Sequence, residues 1–219
     1  MTPVRVTVAL CVAFIAVVVG LFVHSVTRTP TLSEQELRAL GTFILPQPRE
    51  ITDFELATAD GAPFTLEDLQ GRWTFAFFGF TNCPDICPTT MAVMGQAYQQ
   101  LTAQDPEAAE AFQGVLVSVD PERDDAQTLG RYVSAFSEDF IGVRGELEAL
   151  TVFTDQVNVA FAKMPQRDEA GTVLTDTYQV HHSANIVIIN PRGHYHGFIK
   201  YPQKADTIIA TFRSLAAEF

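Results

Sequence analysis

The chain has 219 residues, enough for one ordinary domain and an appendage. Its 26 acidic residues outnumber 14 lysines and arginines, giving a net charge of −12. With no basic patch to follow a phosphate backbone, no nucleic-acid partner is expected. The acidity favours solubility and decides little else.

Residues 6–23 form an uncharged run of 18 residues rich in Val, Ala, Leu and Phe. That is about the minimum to cross a ~30 Å hydrocarbon core, and longer than the usual apolar region of a cleaved leader. A single uncleaved transmembrane anchor is expected over residues 4–23. Arg5 precedes the run and Arg28 closely follows it, a weak positive-inside cue that favours an N-terminus in the cytoplasm. The expected location is the inner (cytoplasmic) membrane, single-pass, with the soluble domain on the periplasmic side or an equivalent outer face. Cys11 lies inside the run and lacks the small preceding residues of a lipid-modification site. Residues 24–49 read as a linker. In it, Ser33 and Glu36 suit a capping box for a short helix through Leu40, and Pro46 and Pro48 break the chain.

The folded domain is expected over residues 50–219. Segments 54–57 and 64–66 flank Asp60-Gly61, a hairpin signal. Residues 73–79 form a short, continuous aromatic run that predicts a buried strand. Met91, Met94, Tyr98 and Leu101 then follow at helical spacing, with Pro88 suited to the first helical position, predicting a helix over 88–101. A second buried strand is predicted over 115–119, ending at Asp120-Pro121. Ala126, Leu129, Tyr132, Val133 and Phe136 make a helical stripe, and 140–143 a short strand. Leu147, Leu150, Phe153, Val157 and Phe161 predict a longer helix. Strands are predicted over 172–180 and 184–189, and the Asn190-Pro191-Arg192-Gly193 turn leads into another at 195–199. Ile208, Ile209, Phe212 and Leu215 close the chain as an amphipathic helix. Parallel strands first and antiparallel strands last is the thioredoxin-like order: an α/β domain with a central mixed sheet flanked by helices.

The chemistry concentrates in Cys83-Pro84-Asp85-Ile86-Cys87-Pro88, at the junction of a strand end and a helix start. Backbone N–H groups and the helix dipole favour negative charge there, so thiolates are expected to form more easily than in free cysteine. Outside the cytoplasm such a pair tends to oxidise. Its small loop gives poor entropic return as a structural staple, so redox chemistry or a soft metal is favoured. Thiol-exchange enzymes use Cys-x-x-Cys. Here three residues intervene, and the place before the later strand reads His181-His182-Ser183. Two thiolates and one imidazole form a soft set matched to Cu(I), and adequate for Cu(II) with a further oxygen. A structural zinc site usually takes a fourth protein ligand. Neighbouring strand residues face opposite ways, so one of His181 and His182 is expected to reach the metal. Met91 and Met94 lie on an apolar stripe and read as core, His194 and His196 as ordinary hairpin residues, Asp85 as solvated, and Arg123 with Asp124 as a local ion pair.

Three blocks carry a family resemblance: Gly-Phe-Thr-Asn-Cys-Pro-Asp-Ile-Cys-Pro-Thr-Thr at 79–90, Val-Ser-Val-Asp-Pro-Glu-Arg-Asp at 117–124 and Tyr-Gln-Val-His-His-Ser at 178–183. In this order they closely resemble the Sco/SenC copper proteins, and the likeness covers essentially residues 50–215. The resemblance implies a membrane-tethered, thioredoxin-like metallochaperone for the binuclear copper centre of cytochrome c oxidase. The alternative it implies is a thiol–disulfide oxidoreductase that reduces the copper-receiving cysteines. By position, Cys83 and Cys87 correspond to the thiolate ligands and His182 to the imidazole ligand. Asp120 corresponds to an acidic residue near the site, able to accept a hydrogen bond that holds a ligand or to supply an oxygen to Cu(II). The cargo so implied is copper, as Cu(I) and also Cu(II). Oxidation of Cys83 and Cys87 to a redox-active disulfide would release it. The implied partners are the copper-receiving oxidase subunit, a thiol reductant protein and an upstream copper donor. The sequence departs from the family at His181, where an acidic residue is common.

Overall fold

Helix α1 (Pro3–Thr27) belongs to the first of two units, residues 1–31 and 32–219. The computed structural model describes residues 3–27, 31–167 and 173–219. Arg28, used above for orientation, and Thr172, expected to open a strand, lie outside the described residues. The described side chains of α1 include exposed Leu10, Phe14, Ile15 and Phe22. Among the described residues, no helix is long and apolar enough to cross a membrane.

The second unit begins with α2 (Glu34–Ala39), β1 (Thr42–Glu50), β2 (Leu56–Thr58) and β3 (Pro63–Phe64). A short 3-10 turn leads to β4 (Trp73–Gly79), α3 (Ile86–Gln104), α4 (Pro106–Ala109), β5 (Phe112–Ser118) and α5 (Ala126–Ser134). There follow β6 (Ile141–Arg144), α6 (Leu147–Gln156), β7 (Phe161–Arg167) and β8 (Val173–His182). The chain closes with β9 (Ile186–Ile189), β10 (His194–Ile199) and α7 (Ala205–Glu218). Eight strands make one mixed sheet in the order β1-β10-β9-β4-β5-β6-β2-β3, and β7 pairs with β8 in a separate two-stranded sheet. Strands β4, β5 and β6 run parallel, whereas β9 joins β4 antiparallel. This is the mixed α/β arrangement expected.

Strand β4 reads as a continuous apolar run because both of its faces are covered, and all seven of its residues are buried. Successive side chains point to opposite faces. Phe75 accordingly meets Phe212 of α7 at 6.4 Å between ring centroids, and Phe78 meets Phe153 of α6 at 5.6 Å. Burying each such ring contributes roughly 1.5–3 kcal/mol. The parallel register pairs Gly79 with Ser118. That brings the loops leaving β4 and β5 side by side, at the carboxyl edge where open α/β sheets place their ligand crevices.

Three expectations need correction. The linker over 24–49 is too long: the second unit starts at Leu32, and Thr42–Glu50 is a sheet strand paired with β10. The capping box is present, with Ser33 N–H donating to Glu36 at 2.9 Å, but its helix packs Leu37 into the domain. The helix expected to reach Phe161 ends at Gln156, because Asn158 takes a left-handed φ of 56° that stops it, and Phe161 opens β7 instead. Helix α3 begins at Ile86, two residues before the expected start, so Cys87 lies within its first turn.

The integration of β1 has a testable consequence. A Cβ on Gly197 would collide with the Phe43 carbonyl oxygen and the Ile44 Cα, both backbone atoms of β1. Gly197→Ala is therefore expected to cost about 1–3 kcal/mol through overpacking. A urea midpoint equal to wild type would show that β1 does not lie against β10.

Candidate metal centre

The loop after β4 turns back at Phe80, whose carbonyl accepts the Cys83 N–H at 3.3 Å. Helix α3 then carries Cys87 inward, where it is fully buried while Cys83 stays half-buried. Both are free thiols, and the Cys87 N–H lies 3.5 Å from the Cys83 sulfur. From the other side, the end of β8 delivers His182. Its Nδ1–H donates to the Ser183 carbonyl at 3.0 Å, which leaves Nε2 facing the Cys87 Sγ at 3.4 Å. Phe77 and Phe80 pack edge-on against the imidazole at 5.7 and 5.8 Å. The ligating atoms of Cys83, Cys87 and His182 all lie within 4.8 Å of one another. A cavity of about 640 Å³ opens beside them, bordered by Phe80, Cys83, Arg123, Tyr178, His181 and His182 among others.

Burial, with a smaller contribution from the adjacent Cys83, pushes the Cys87 thiol well above its ordinary value. For Cys87 this overturns the expectation of an easily formed thiolate. A helix N-terminus supplies about 0.3–1 kcal/mol to a nearby anion. Full burial without a cationic partner shifts an acid by up to about 3–5 pK units against the charged form, which is the larger effect. Burial likewise pushes His182 down, so its imidazole is neutral at pH 7 and keeps a lone pair on Nε2. The set is two sulfurs and one neutral nitrogen, soft donors arranged for a soft cation. A metal entering it would have to displace the Cys87 proton.

The raised thiol sets the sign of a stability effect. As pH rises past the ordinary thiol value, the unfolded chain loses its Cys87 proton while the folded chain retains it. The folded state then binds more protons, so stability falls with pH. The metal-free protein is expected to lose up to about 1.4 kcal/mol per pH unit between roughly pH 8.5 and 10. Urea unfolding across that window should show a shallower slope for Cys87→Ala. An unchanged slope would place the effect elsewhere.

Two buried carboxylates shape the surroundings. Asp120 accepts from the Tyr178 hydroxyl at 2.6 Å through Oδ1 and pairs with Arg123 through Oδ2. With both oxygens engaged, it stands outside the three-donor group. The ion pair expected between Arg123 and Asp124 is thus formed with Asp120 instead. Asp124 accepts from the Thr81 N–H at 3.0 Å, the Thr81 hydroxyl at 2.6 Å and the Ser118 hydroxyl at 2.6 Å. It ties the cysteine loop to β5, a role that sequence reasoning missed. The available signal was a second acidic residue four positions after Asp120, in a block that also holds Ser118.

The remaining candidates are placed as follows. His181 is exposed and outside the three-donor group, yet it borders the same cavity. Met91 and Met94 are fully buried core residues, and Asp85 is exposed. His196 takes part in local packing, its Nδ1 accepting from the Asn190 side chain at 3.3 Å and its ring meeting Trp73 edge-on at 5.0 Å.

Known proteins resemble this chain over the same region. The SCO1/SenC family model matches residues 45–217. A Stutzerimonas stutzeri protein described as copper-binding is 39% identical over 164 residues, covering 75% of this chain and 76% of that protein. The mitochondrial SCO2 homolog of Mus musculus is 32% identical over 167 residues, which is 76% of this chain but only 62% of the mouse protein. Among solved structures, apo Sco1 from Thermus thermophilus aligns with a TM-score of 0.70 and 31% identity, covering 80% of this chain and 96% of its own. Arabidopsis thaliana ScoI with copper bound aligns at 0.67 and 27% identity, covering 77% and 98%. The fold they share is the mixed, thioredoxin-like α/β one.

Proposed function

Because this chain belongs to the SCO1/SenC family, we propose that it is a copper metallochaperone serving the binuclear copper centre of cytochrome c oxidase. The observation that carries this reading is the convergence of Cys83, Cys87 and His182 within 4.8 Å. Copper is the cargo. As Cu(I), it takes two thiolates and one imidazole without a further protein donor. The Ser183 carbonyl fixes the histidine tautomer, a typical outer-shell device that aims Nε2 at the metal position. Half-burial of Cys83 leaves one sulfur open to an incoming copper donor or to the receiving oxidase subunit, and fully buried Cys87 provides the inner one.

The proposal includes a tether in the inner membrane with the domain on the periplasmic side, which rests on the uncharged run at 6–23. In that oxidising compartment the two thiols need a protein reductant to stay metal-competent.

Anaerobic titration of the reduced protein with Cu(I), in competition with a chromogenic chelator, tests the reading. One-to-one binding that His182→Ala weakens and Cys83→Ser removes is the expected result. Failure to compete at any chelator concentration would overturn it.

The asymmetric burial of the cysteines favours a second reading. Half-buried Cys83 could attack a disulfide in the oxidase subunit. Its sulfur would bond to one partner sulfur and release the other as thiolate. Cys87 would then attack the Cys83 sulfur, forming the Cys83–Cys87 disulfide as the bond from Cys83 to the partner breaks and the second partner sulfur leaves. The two cysteine protons end on the two partner sulfurs, and two electrons pass to the partner in all. Metal-free reduction of a protein disulfide, insensitive to His182→Ala, would favour this reading.

A further inference from the structure

His182 is carried by the β7–β8 hairpin, and among the described residues no strand of the main sheet pairs with that hairpin. The imidazole therefore depends on other contacts for its place over the sulfurs. Beside the packing of Phe77 and Phe80 on its ring, a set of such contacts comes from residues 120–123, just after β5. The Tyr178 hydroxyl of β8 donates to Asp120 at 2.6 Å. The Arg123 guanidinium lies 4.2 Å from the Tyr178 ring centroid and donates to the Tyr178 carbonyl at 3.5 Å. Glu122 pairs with Lys163 of β7 at 2.5 Å, and the same ammonium stands 5.0 Å from the Tyr178 ring centroid. Arg123 also reaches the Phe80 ring at 5.6 Å, and Phe80 meets the His182 ring edge-on. One guanidinium thus touches the hairpin and the cysteine loop at once.

We propose that Arg123 and Tyr178 are positioning residues for His182: the 120–123 segment latches the hairpin onto the cysteine loop, and release of the latch withdraws the imidazole while both sulfurs stay in place. The inference rests on the copper reading above. Latched, the site offers three donors. Unlatched, it offers two sulfurs and holds copper less tightly, the state suited to hand-over. The anchor of the latch is rigid because Asp120 is fully buried, whereas Arg123 and Tyr178 border the open cavity, where a partner could reach them.

The test uses Tyr178→Leu, which removes the phenol and leaves the Asp120–Arg123 pair, and Arg123→Lys, which keeps a cation beside Asp120 but loses the stacking plane. Each is made in the wild-type and His182→Ala backgrounds, and Cu(I) affinity is measured by chelator competition. Outer-shell partners of a metal ligand typically contribute 10–100-fold to affinity. About tenfold weakening is expected with His182 present and no further loss without it. Equal losses in both backgrounds, or no loss in either, would overturn the latch. Amide hydrogen exchange on the metal-free protein provides a second readout. Faster exchange across β8 in both variants supports the latch, and wild-type exchange overturns it. If the wild type binds no copper, the copper reading fails by itself and the exchange result still decides whether the hairpin is latched. Should Tyr178→Leu fail to fold, Arg123→Lys carries the same comparison.

Discussion

Replacing Cys87 with serine is expected to abolish one-to-one Cu(I) binding in the reduced protein. The serine hydroxyl is a hard oxygen that keeps its proton at neutral pH, a poor match for a soft monovalent cation. The loss should exceed the roughly 10–100-fold that follows removal of an outer-shell partner. The fold is expected to survive. Serine is no larger than cysteine, and its hydroxyl can still donate to His182 Nε2, which the Cys87 sulfur now faces at 3.4 Å. Gly79 leaves little room for anything bigger, since a Cβ there would stand 3.0 Å from the Cys87 sulfur. Chelator competition alongside a urea titration separates the two effects. Tight copper binding by a folded Cys87→Ser protein would place the metal elsewhere.

Loss of roughly 3 kcal/mol of folding stability is expected from Asp124→Ala. The carboxylate accepts three hydrogen bonds in a buried setting, and its removal orphans the Thr81 N–H and the Ser118 hydroxyl. Each buried donor left without a partner costs about 1–3 kcal/mol. That total corresponds to about two decades in the folded-to-unfolded ratio. The same change frees the loop that carries Cys83, so Cu(I) affinity should fall as well. Asp124→Asn keeps an acceptor and should lie between alanine and wild type. A urea midpoint for Asp124→Ala at the wild-type value would show that this network does not hold the loop.

The centre of the sheet was legible in the chain because its signals are local. An aromatic run such as β4 is short, continuous and covered on both faces, and Gly79 and Pro88 mark the region where strand gives way to helix. The edges were not. Strand β1 contains Pro46 and Pro48 and reads as a linker, yet it pairs with β10 on both sides of a register shift between Ile44 and Arg49. Prolines are tolerated at a sheet edge and at irregular pairing, so the partner strand makes this segment a strand. The end of α6 was missed for a related reason. The helical spacing of Val157 and Phe161 continues through Asn158, whose left-handed backbone ends the helix.

At the site, the chain by itself determined which atoms carry the chemistry: two sulfurs four residues apart where a strand gives way to a helix, and an imidazole from an adjacent histidine pair. The family resemblance pointed to His182, but residue spacing alone did not choose between the two imidazoles; neighbouring strand residues face opposite ways, and their pairing in the tertiary structure assigns the faces. The β7–β8 register sets His182 opposite Phe161 and His181 opposite Ala162, and turns the former toward a cysteine 95 residues away. Tertiary structure also decided the protonation of Cys87. Helix starts favour a thiolate locally, but the surrounding core removes the water that would solvate it, and burial is the stronger effect.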